Sequence, residues 1–378
     1  MSVEFRYANE GDYLAISQFL NDYWAAGHIY TRDKALFDWT FRRPGYWDRS
    51  DYSFAVGEEN GELTGILGGI PFDFNCAGDR SKGIWIVNYV IRPDHRKGSG
   101  ALKLLSMFRG APFQATIAFG ITEASSVIYR VLKGEVLERI PRYFAILPGQ
   151  AARFAHLLSL AHPEWGPEKN GTLASIFEMQ QLPKPDGPAG NALPEQWDSE
   201  DWPRFATETV GAARDRDYLT WRYQKHPTFE HHFIVYPENG KTGLAVWRLE
   251  TIRRATEGGS RVDLDRIGRL LEFLPVSAAN ARNLLAEFFK QLSEAGAFGA
   301  DYYGFHGESG EWLREQALRP VSTVEQGYAL PSRFQPLEGK GGGILSAMFV
   351  SAGLPSCKIS AECPWYWTKS DSDQDRPN

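Results

Sequence analysis

The sequence predicts an α+β protein built from two copies of one fold, and three observations support that prediction. Four segments recur in the same order at offsets of 178 to 184 residues. The chain has 378 residues. Chains of this length usually divide into two domains, each with its own hydrophobic core. Residues 182–196 carry four prolines and two glycines, which disfavour both helix and sheet and predict a linker between the copies.

The repeat joins segments that share turns and aromatic positions. Trp39 aligns with Trp221, and each copy continues with an alternating apolar strand, an Asn-Gly turn and a second strand. Duplicated folds keep their turns and core spacing after their surfaces diverge, so four ordered matches predict a duplication. The aligned pairs are residues 36–44 with 218–227, 53–65 with 232–243, 119–129 with 303–313, and 143–147 with 327–331.

Each copy has the same predicted order of elements: strand, helices, hairpin, long strand, helix, strand, helix, strand. In the first copy, residues 13–24 have helical spacing behind Asp12 as a candidate N-cap, and residues 83–91 read as a long strand. The pattern predicts a mixed, mostly antiparallel sheet flanked by helices in each half. The expected division is a first domain at 1–150, a connector with the linker at 151–196, a second domain at 197–335 and a C-terminal extension at 336–378.

Composition argues against several classes of protein. Lys and Arg number 41 against 47 Asp and Glu, a net charge of -6, which gives no basic footprint for a nucleic acid backbone. We expect a cytoplasmic protein, because no apolar run reaches the roughly 18 residues of a membrane span and the chain starts with no basic-then-apolar leader. Cys76, Cys357 and Cys363 have no paired spacing, so we expect reduced thiols and no bound metal.

A glycine turn, RPDHRKGSGALKLL at residues 92–105, leads into a predicted helix of the first copy. The first turn of a helix presents unpaired N–H groups and the positive end of its dipole, and glycines let an anion approach them. The aligned residues 271–289 have the strand, a proline and the helix but neither the glycines nor the basic pair. We therefore interpret the turn as a pyrophosphate site, formed by His95, Arg96, Lys97, Gly98, Ser99 and Gly100.

This arrangement resembles the GNAT superfamily of acyl-CoA-dependent N-acyltransferases, well over residues 3–148 and more weakly over 197–332. The resemblance implies two GNAT-like domains, the second degenerate, with acetyl-CoA or another acyl-CoA as co-substrate. In the family the pyrophosphate sits on a turn of the form Arg/Gln-x-x-Gly-x-Gly/Ala. His95 stands at its first position here, unless the turn is one residue shorter and Arg96 takes that role. The preceding strand would hold the pantetheine arm through Asn88, Tyr89 and Val90.

The resemblance also implies a catalytic tyrosine on the helix that follows the fifth strand, where this chain has Tyr129. A phenol, with a pKa of about 10, can hydrogen-bond the departing thiolate and supply its proton. The second copy has Leu313 in that place, which leaves one candidate catalytic domain. A core aromatic is the structural alternative for Tyr129. For the base that deprotonates the amine, Glu123 is the nearest carboxylate in the motif, with a water molecule or a solvated surface role as alternatives.

The acceptor is expected to be a small-molecule amine, covered by the aromatic segment at residues 24–51. Aromatic side chains stack on sugars or bases and arginines hold phosphates, so the candidates are Trp24, His28, Tyr30 and Arg42. Trp39 recurs as Trp221, which favours a packing role. The tandem layout resembles bacterial acyltransferases of surface polysaccharide pathways, which implies an amino sugar or a nucleotide-linked amino sugar as the acceptor. Direct transfer is expected, since no Cys or Ser nucleophile lies in the motifs.

Two other functions remain open on the sequence alone. One is a non-catalytic GNAT pair that binds CoA or a partner, which the altered first position of the glycine motif favours. The other is an aminoacyl-tRNA-dependent transferase, which the acidic charge disfavours. The aspartate-rich end is expected to be disordered, although its carboxylates could reach an acceptor ammonium. A phosphate role for Lys340 and Gly341 is disfavoured because the helix behind them is weak.

Overall fold

The structure is a computed structural model that describes residues 3–137, 139–255, 261–305, 309–323, 327–339, 344–350 and 365–376. Structural statements below concern these residues. Four residues discussed above lie outside them, namely Lys340, Gly341, Cys357 and Cys363. Cys76 is buried at the end of a long strand.

Strands make up two large mixed sheets and a small hairpin within the described residues. In chain order they are β1 Glu4–Tyr7, β2 Phe54–Glu59, β3 Glu62–Cys76, β4 Asp79–Ile91, β5 Ala115–Phe119, β6 Glu135–Val136, β7 Arg142–Ile146, β8 Val210–Ala212, β9 His232–Glu238, β10 Lys241–Ala255, β11 Arg261–Leu274, β12 Gly299–Phe305, β13 Arg319–Pro320, β14 Arg333–Phe334, β15 Leu337–Glu338, β16 Ser346–Val350 and β17 Trp367–Thr368.

Helices cover the faces of the sheets. In chain order they are α1 Tyr13–Tyr23, α2 Ile29–Arg32, α3 Lys34–Phe41, α4 Gly100–Met107, α5 Glu123–Val131, α6 Ala151–Ala161, α7 Pro167–Phe177, α8 Trp202–Glu208, α9 Arg216–Leu219, α10 Ala278–Glu294 and α11 Ser309–Glu315. Short 3-10 or π turns occupy Glu10–Asp12, Pro93–His95, Trp197–Asp201, Thr220–Gln224 and Val321–Thr323. Asp12 precedes α1, but its carboxylate pairs with Arg6 instead of capping the helix through a side-chain hydrogen bond. No helix of the described residues is long and apolar enough to cross a membrane.

The two large sheets have matching strand orders. The first runs β1-β2-β3-β4-β5-β16-β6, and the second runs β9-β10-β11-β12-β7-β13. In each, one parallel pair, β4 with β5 or β11 with β12, interrupts otherwise antiparallel neighbours. The α+β class with mixed, mostly antiparallel sheets flanked by helices is therefore confirmed.

The two halves exchange a strand, which the sequence analysis did not predict. β7, expected to close the first copy, pairs with β12 and β13 of the second sheet. In return, β16 from the C-terminal extension pairs with β5 and β6 of the first sheet. The predicted match of residues 143–147 with 327–331 is therefore wrong as a pair of strands, because residues 327–331 form none.

The predicted hairpins are present in both halves. Asn60-Gly61 joins β2 to β3 and Asn239-Gly240 joins β9 to β10, and all four residues have positive φ. These turns suit the twist of the flanking strands, and Asn and Gly tolerate the left-handed conformation with little strain. Each hairpin sets the register of its first pairs, and a bulge follows in the first half, between Gly57 and Glu58.

The segment expected to be a linker packs against the second half. Gly190 and Val235 of β9 exchange two backbone hydrogen bonds of 2.8 and 2.9 Å. Asp186 donates its backbone N–H to the Oδ1 of Asn283 on α10 at 2.8 Å. The connector before it forms α6 and α7, which bury Phe154 and Phe177 against β7. The prolines do prevent a helix within residues 182–196, but they leave room for this one bridge.

The aspartate-rich end is buried, so the expected disorder is wrong for residues 365–376. Tyr366, Trp367, Asp371 and Asp375 are each at most 5% exposed. Trp367 packs against Phe119 of β5, with ring centroids 5.2 Å apart. The polar residues of this segment predict exposure to solvent. A sequence pattern does not show that distant arginines neutralise its carboxylates in the folded chain.

Candidate functional site

A bulge in β4 opens the first sheet where it should pair with β5. Asn88 and Tyr89 together face a single residue of β3, since Val87 pairs with Gly68 and Val90 with Ile66. Asn88 has φ 50°, a left-handed value that Asn adopts more easily than most residues. The parallel pairing of β4 with β5 ends two residues earlier, at Ile86 with Ala118. Beyond that point the two strands diverge.

A cavity of about 200 Å³ lies where these strands separate. Ile86 and Ala118 in its wall belong to the core beneath α4 and α5, whereas Val87 and Phe119 belong to the core on the opposite face of the sheet. The cavity therefore reaches both faces of the sheet. Its full lining is Trp24, Ile86, Val87, Asn88, Tyr89, Ala118, Phe119, Gly120, Ile121, Thr122, Ser125, Tyr129, Asp373, Gln374 and Arg376.

Tyr129 lies in the wall of this cavity, on the α5 side. It is 3% exposed, and its ring packs against Phe349 of β16 with centroids 5.6 Å apart. Its hydroxyl makes no hydrogen bond to any described residue. Burial, and then the neighbouring Tyr89, raise the pKa of this phenol, so the hydroxyl stays protonated at neutral pH. The tyrosine is both a core aromatic and a free donor at the cavity.

The remaining predicted residues of β4 divide between wall and core. Tyr89 lines the cavity, and its hydroxyl donates to the carbonyl oxygen of Ala101 in the first turn of α4. This bond ties the bulge to the helix behind the glycine turn. Val90 is buried in the core and does not line the cavity. The side-chain Oδ1 of Asn88 is buried and accepts no hydrogen bond from the described residues.

The glycine turn borders a second cavity of about 250 Å³. His95, Gly98, Ser99 and Gly100 line it, together with Lys103 of α4. A Cβ atom on Gly98 would meet nothing closer than 3.7 Å, and neither Gly98 nor Gly100 has a positive φ. Packing and backbone conformation therefore require neither glycine in the absence of a ligand. An anion on the helix N-terminus would be a reason for both.

Basic residues of the turn are engaged locally. Arg96 donates from Nε to the carbonyl oxygen of Ile91 at 3.1 Å, which closes the turn onto the end of β4. His95 contacts Arg92 through Nε2 at 2.7 Å. Lys97 is exposed at the outer side. Of the two candidates for the first motif position, His95 lines this cavity and Arg96 does not.

The residues predicted to hold the acceptor do not all meet at the cavity. Trp24 lines it and is 51% exposed, so its ring stands at the opening. His28 and Tyr30 are buried behind it: His28 Nδ1 accepts from the backbone N–H of Tyr30 at 3.3 Å. Burial, then the charge of Arg376, lower the pKa of His28 to about 3. Arg42 does not line the cavity and pairs with Glu10 at 3.4 Å.

Glu123 also lies outside the wall of the cavity. It begins α5, where its exposed carboxylate pairs with Arg139. Thr122 and Ser125 form the capping box of the same helix and do line the cavity. The first turn of α5 therefore lies at the cavity, but the Glu123 carboxylate lies at the surface, where it pairs with Arg139.

The C-terminal segment contributes a part of the site that the sequence analysis did not assign. Asp373, Gln374 and Arg376 line the cavity on the face of the sheet opposite α5. Gly120, which has φ 70°, leaves the space that Gln374 occupies: a Cβ there would lie 2.8 Å from its side chain. In the sequence, the aspartates were the only feature of this segment that pointed to a role at the site, and their pattern did not predict burial.

Buried ion pairs anchor this segment. Arg214, fully buried, donates to Glu272 and to Asp371, each at 2.9 Å. Arg248 holds Asp375 at 2.6 Å and Glu250 at 2.7 Å. Although burial opposes ionisation, Arg248 keeps the pKa of Asp375 well below its ordinary range. A carboxylate in such a place must be paired, so the two arginines of the second half fix the path of the segment.

The corresponding gap of the second sheet is filled by the same segment. The parallel pairing of β11 with β12 ends at Leu270 with Tyr302, and β17 then pairs with the last residues of β12. The Tyr366 hydroxyl accepts from the N–H of Phe273 at 2.9 Å and donates to Glu272 at 2.7 Å. Residues 366–370 thus lie where the first sheet has its cavity, and buried Leu313 stands near the place of Tyr129.

Comparison by sequence finds nothing: no family model and no curated protein matches this chain. Solved structures do match in fold. One is a GCN5-related N-acetyltransferase from Anabaena variabilis, at 11% identity, TM-score 0.54, and 94% of this chain against 74% of that one. Another is the N-myristoyltransferase of Saccharomyces cerevisiae with bound myristoyl-CoA, at 13% identity, TM-score 0.56, and 92% against 79%.

A GCN5-related N-acetyltransferase from Kribbella flavida also matches, at 13% identity and TM-score 0.50, with 92% of this chain against 72% of that one. At these identities the likeness concerns the fold alone, and it extends over both sheets because nearly the whole chain is covered. The chain therefore has a GNAT-like fold, in two mixed sheets flanked by helices.

Proposed function

We propose that this chain is an acyl-CoA-dependent N-acyltransferase whose single active site is the cavity between β4 and β5. The observation that carries the proposal is the arrangement of this cavity across the sheet. The hydroxyl of Tyr129, which has no hydrogen-bond partner among the described residues, lies on the face packed against α4 and α5. The buried carboxylate of Asp373 lies near Tyr30, on the other face. A thioester entering beside α4 and α5 would meet an amine entering from the opposite face.

The donor side would use the backbone. Past Ile86, the inner edge of β4 no longer pairs with β5, so its amides are available to the pantetheine arm, as in an added strand. The pyrophosphate would rest on the first turn of α4, beside Gly98 and Gly100, where the helix dipole favours negative charge. A cavity of about 200 Å³ has room for a short acyl group and an amine head, which favours acetyl. The bound acyl-CoA of the yeast N-myristoyltransferase supports a donor of this class.

The reaction would be direct. The acceptor ammonium loses one proton, its nitrogen attacks the thioester carbonyl carbon, the C–N bond forms and the C–S bond breaks. The thiolate takes up one proton and the nitrogen loses a second, so the net reaction releases one proton to solvent. Tyr129 would donate a hydrogen bond to the thiolate; because burial raises the pKa of the phenol, water completes the proton supply.

For the proton acceptor we propose Asp373 in place of Glu123. Asp373 is 5% exposed and lines the cavity, whereas Glu123 is an exposed partner of Arg139 outside it. For the acceptor molecule, a small primary amine is the class that an anionic wall favours. An amino sugar, which the tandem layout suggested, stays the first compound to test.

The test is thiol release from acetyl-CoA in the presence of glucosamine, a nucleotide-linked amino sugar and other small amines, each beside its hydroxyl analogue. We expect release that requires the amine and that falls with Asp373→Asn. Acyl-CoA binding without amine-dependent release, for short and long acyl chains alike, would leave a non-catalytic binding protein instead.

A further inference from the structure

The acceptor face of the cavity holds an internal cation. Arg376 donates from Nη1 to the Oδ2 of Asp373 and to its backbone oxygen, both at 2.7 Å. Gln374 donates to the other carboxylate oxygen at 3.1 Å. Asp373 is 5% exposed, and it is the one carboxylate among the residues described as lining this cavity. Asp373 is therefore the one negatively charged group of the described lining, and Arg376 of the same chain occupies it.

Arg376 fits this place incompletely. An arginine binds a carboxylate best through two parallel N–H bonds, but here one nitrogen makes both contacts. Its Nε is buried and donates to no described residue. A buried donor without a partner is unfavourable, so a better-fitting cation has an advantage over Arg376.

A second polar group in the same cavity, the side-chain oxygen of Asn88, has no partner among the described residues. Asn88 is 6% exposed and lines the cavity, and its Oδ1 accepts no hydrogen bond from the described residues. The amide sits at the bulge because Asn tolerates a φ of 50°, but that backbone role does not require a buried unpaired oxygen. The wall thus presents the Asp373 carboxylate, which Arg376 holds, and the Asn88 oxygen, which has no partner among the described residues.

The groups packed around Arg376 favour its replacement by another cation over its departure with nothing in its place. His28, on the neighbouring α1–α2 connection, is neutral, because burial and the Arg376 charge lower its pKa to about 3. Arg32 adds positive charge in the same region. Asp373 would be left as an unpaired buried anion if Arg376 simply moved away, which is unfavourable. An incoming N–H cation would compensate it.

We propose that Arg376 is an internal occupant of the acceptor site, held on Asp373 in the resting chain and displaced by the ammonium group of the acceptor. The inference rests on the proposed function and adds to it. It identifies the acceptor as a primary ammonium that donates to Asp373 and to Asn88 Oδ1, and it makes Arg376 a competitor for the substrate.

The test uses the full chain with Arg376→Gln, and methylammonium chloride as the probe of an N–H cation. Tetramethylammonium chloride, which has the same charge and no N–H, is the matched ligand control. Binding is measured by saturation-transfer NMR at constant ionic strength. We expect Arg376→Gln to bind methylammonium at least 10-fold more tightly than the unmodified chain does. The two chains should bind tetramethylammonium with the same affinity.

Three variants sharpen the result. Arg376→Lys keeps an internal cation and should show no gain in methylammonium affinity. Asp373→Asn combined with Arg376→Gln should lose the gain that Arg376→Gln shows alone. Arg253→Gln, which breaks a remote exposed pair with Asp263, is the substitution control. Equal methylammonium binding in the unmodified chain and in Arg376→Gln would overturn the proposal. So would a gain that tetramethylammonium shares or that survives loss of the Asp373 charge.

Activity provides a second readout that separates the two proposals. With an amine that supports thiol release, Arg376→Gln should lower its KM at least fivefold. If acyl-CoA fails to bind any variant while cation exchange occurs as described, the proposed function fails and the exchange stands. If amine-dependent turnover occurs but methylammonium binding and KM are unchanged in Arg376→Gln, the internal occupant alone is wrong.

Discussion

Trp39 and Trp221, which the predicted repeat aligns with each other, stack with ring centroids 4.9 Å apart and planes inclined by 19°. Arg43 lies over the Trp221 ring, with its guanidinium carbon 4.1 Å from the centroid. The stack joins the two halves, and neither ring lines the cavity between β4 and β5. The pair therefore has a packing role.

The stacked pair should be energetically coupled. Offset aromatic pairs contribute about 0.5–1.5 kcal/mol beyond their buried area, so a double-mutant cycle of Trp39→Ala and Trp221→Ala should give a coupling of about 1 kcal/mol. The measurement is denaturant unfolding of the four chains. A cycle of Trp39→Ala with Trp312→Ala, which packs against another core cluster, should give none. Coupling of equal size in both cycles would show that the stack is not responsible.

Tyr129→Phe should lower turnover about 10- to 100-fold while donor affinity and stability stay unchanged. The ring keeps its packing on Phe349, and its hydroxyl has no protein partner among the described residues to lose. The measurements are kcat for thiol release, acyl-CoA affinity by calorimetry and the free energy of unfolding. Tyr13→Phe, which removes a hydroxyl bonded to the Tyr30 carbonyl oxygen, is the matched control. Unchanged kcat in Tyr129→Phe would exclude a role for the phenol.

His28 should make the fold sensitive to mild acid. Burial lowers its pKa to about 3 in the folded chain, against about 6.5 unfolded, so only the unfolded chain takes up the proton between these values. Stability from this group is complete above pH 6.5 and is lost as the pH falls toward 3, by up to about 1.4 kcal/mol per pH unit. His28→Asn keeps a side-chain acceptor at the start of α2 and removes the titration.

Unfolding free energies measured from pH 7 to pH 4 should therefore fall less steeply for His28→Asn, by roughly one proton. Gly171→Ala, at a residue whose side chain does not titrate, is the control and should leave the slope as it is. If the slopes of the His28→Asn chain and the unmodified chain coincide, His28 does not stay neutral in the folded chain. His226 and His231, whose pKa values burial lowers to about 2 and about 4, should account for a further part of the slope.

Asp371→Asn should destabilise the chain by about 3–5 kcal/mol, because it leaves the buried guanidinium of Arg214 with one carboxylate fewer. The same change should make the C-terminal segment more sensitive to protease. Asp263→Asn removes one partner of an exposed pair with Arg253 and should cost less than about 1 kcal/mol. Comparable losses for the two substitutions would mean that the buried pair does not anchor the segment.

The sequence was most informative where a local pattern has one physical reading. The Asn-Gly hairpins, the strand ending at Ile91 and the helix with Tyr129 all follow from turn chemistry and periodicity, and they place the bulge and the donor side of the cavity. The predicted repeat allows a comparison within one chain. Residues 271–289 also have a strand, a proline and a helix, but they lack the glycines and the basic pair of residues 92–105.

Two features of the structure follow from contacts between distant segments, and local pattern could not predict them. The exchange of β7 and β16 depends on which sheet edge each short apolar run meets after long connections. The burial of residues 365–376 depends on Arg214 and Arg248, more than 100 residues away, which neutralise its aspartates. Taken alone, three aspartates among serines predict a solvated end.

The central claim is one acyl-CoA site per chain, in the first sheet. Calorimetric titration of the purified chain with acetyl-CoA tests it most directly. We expect a stoichiometry of one, at least 10-fold weaker binding for Gly98→Val with unchanged stability, and full binding for Gly171→Ala, an equally open glycine on α7. Two sites per chain would contradict the closure of the second gap by residues 366–370. No binding, or binding indifferent to Gly98→Val, would contradict the assignment of the glycine turn and the proposed donor.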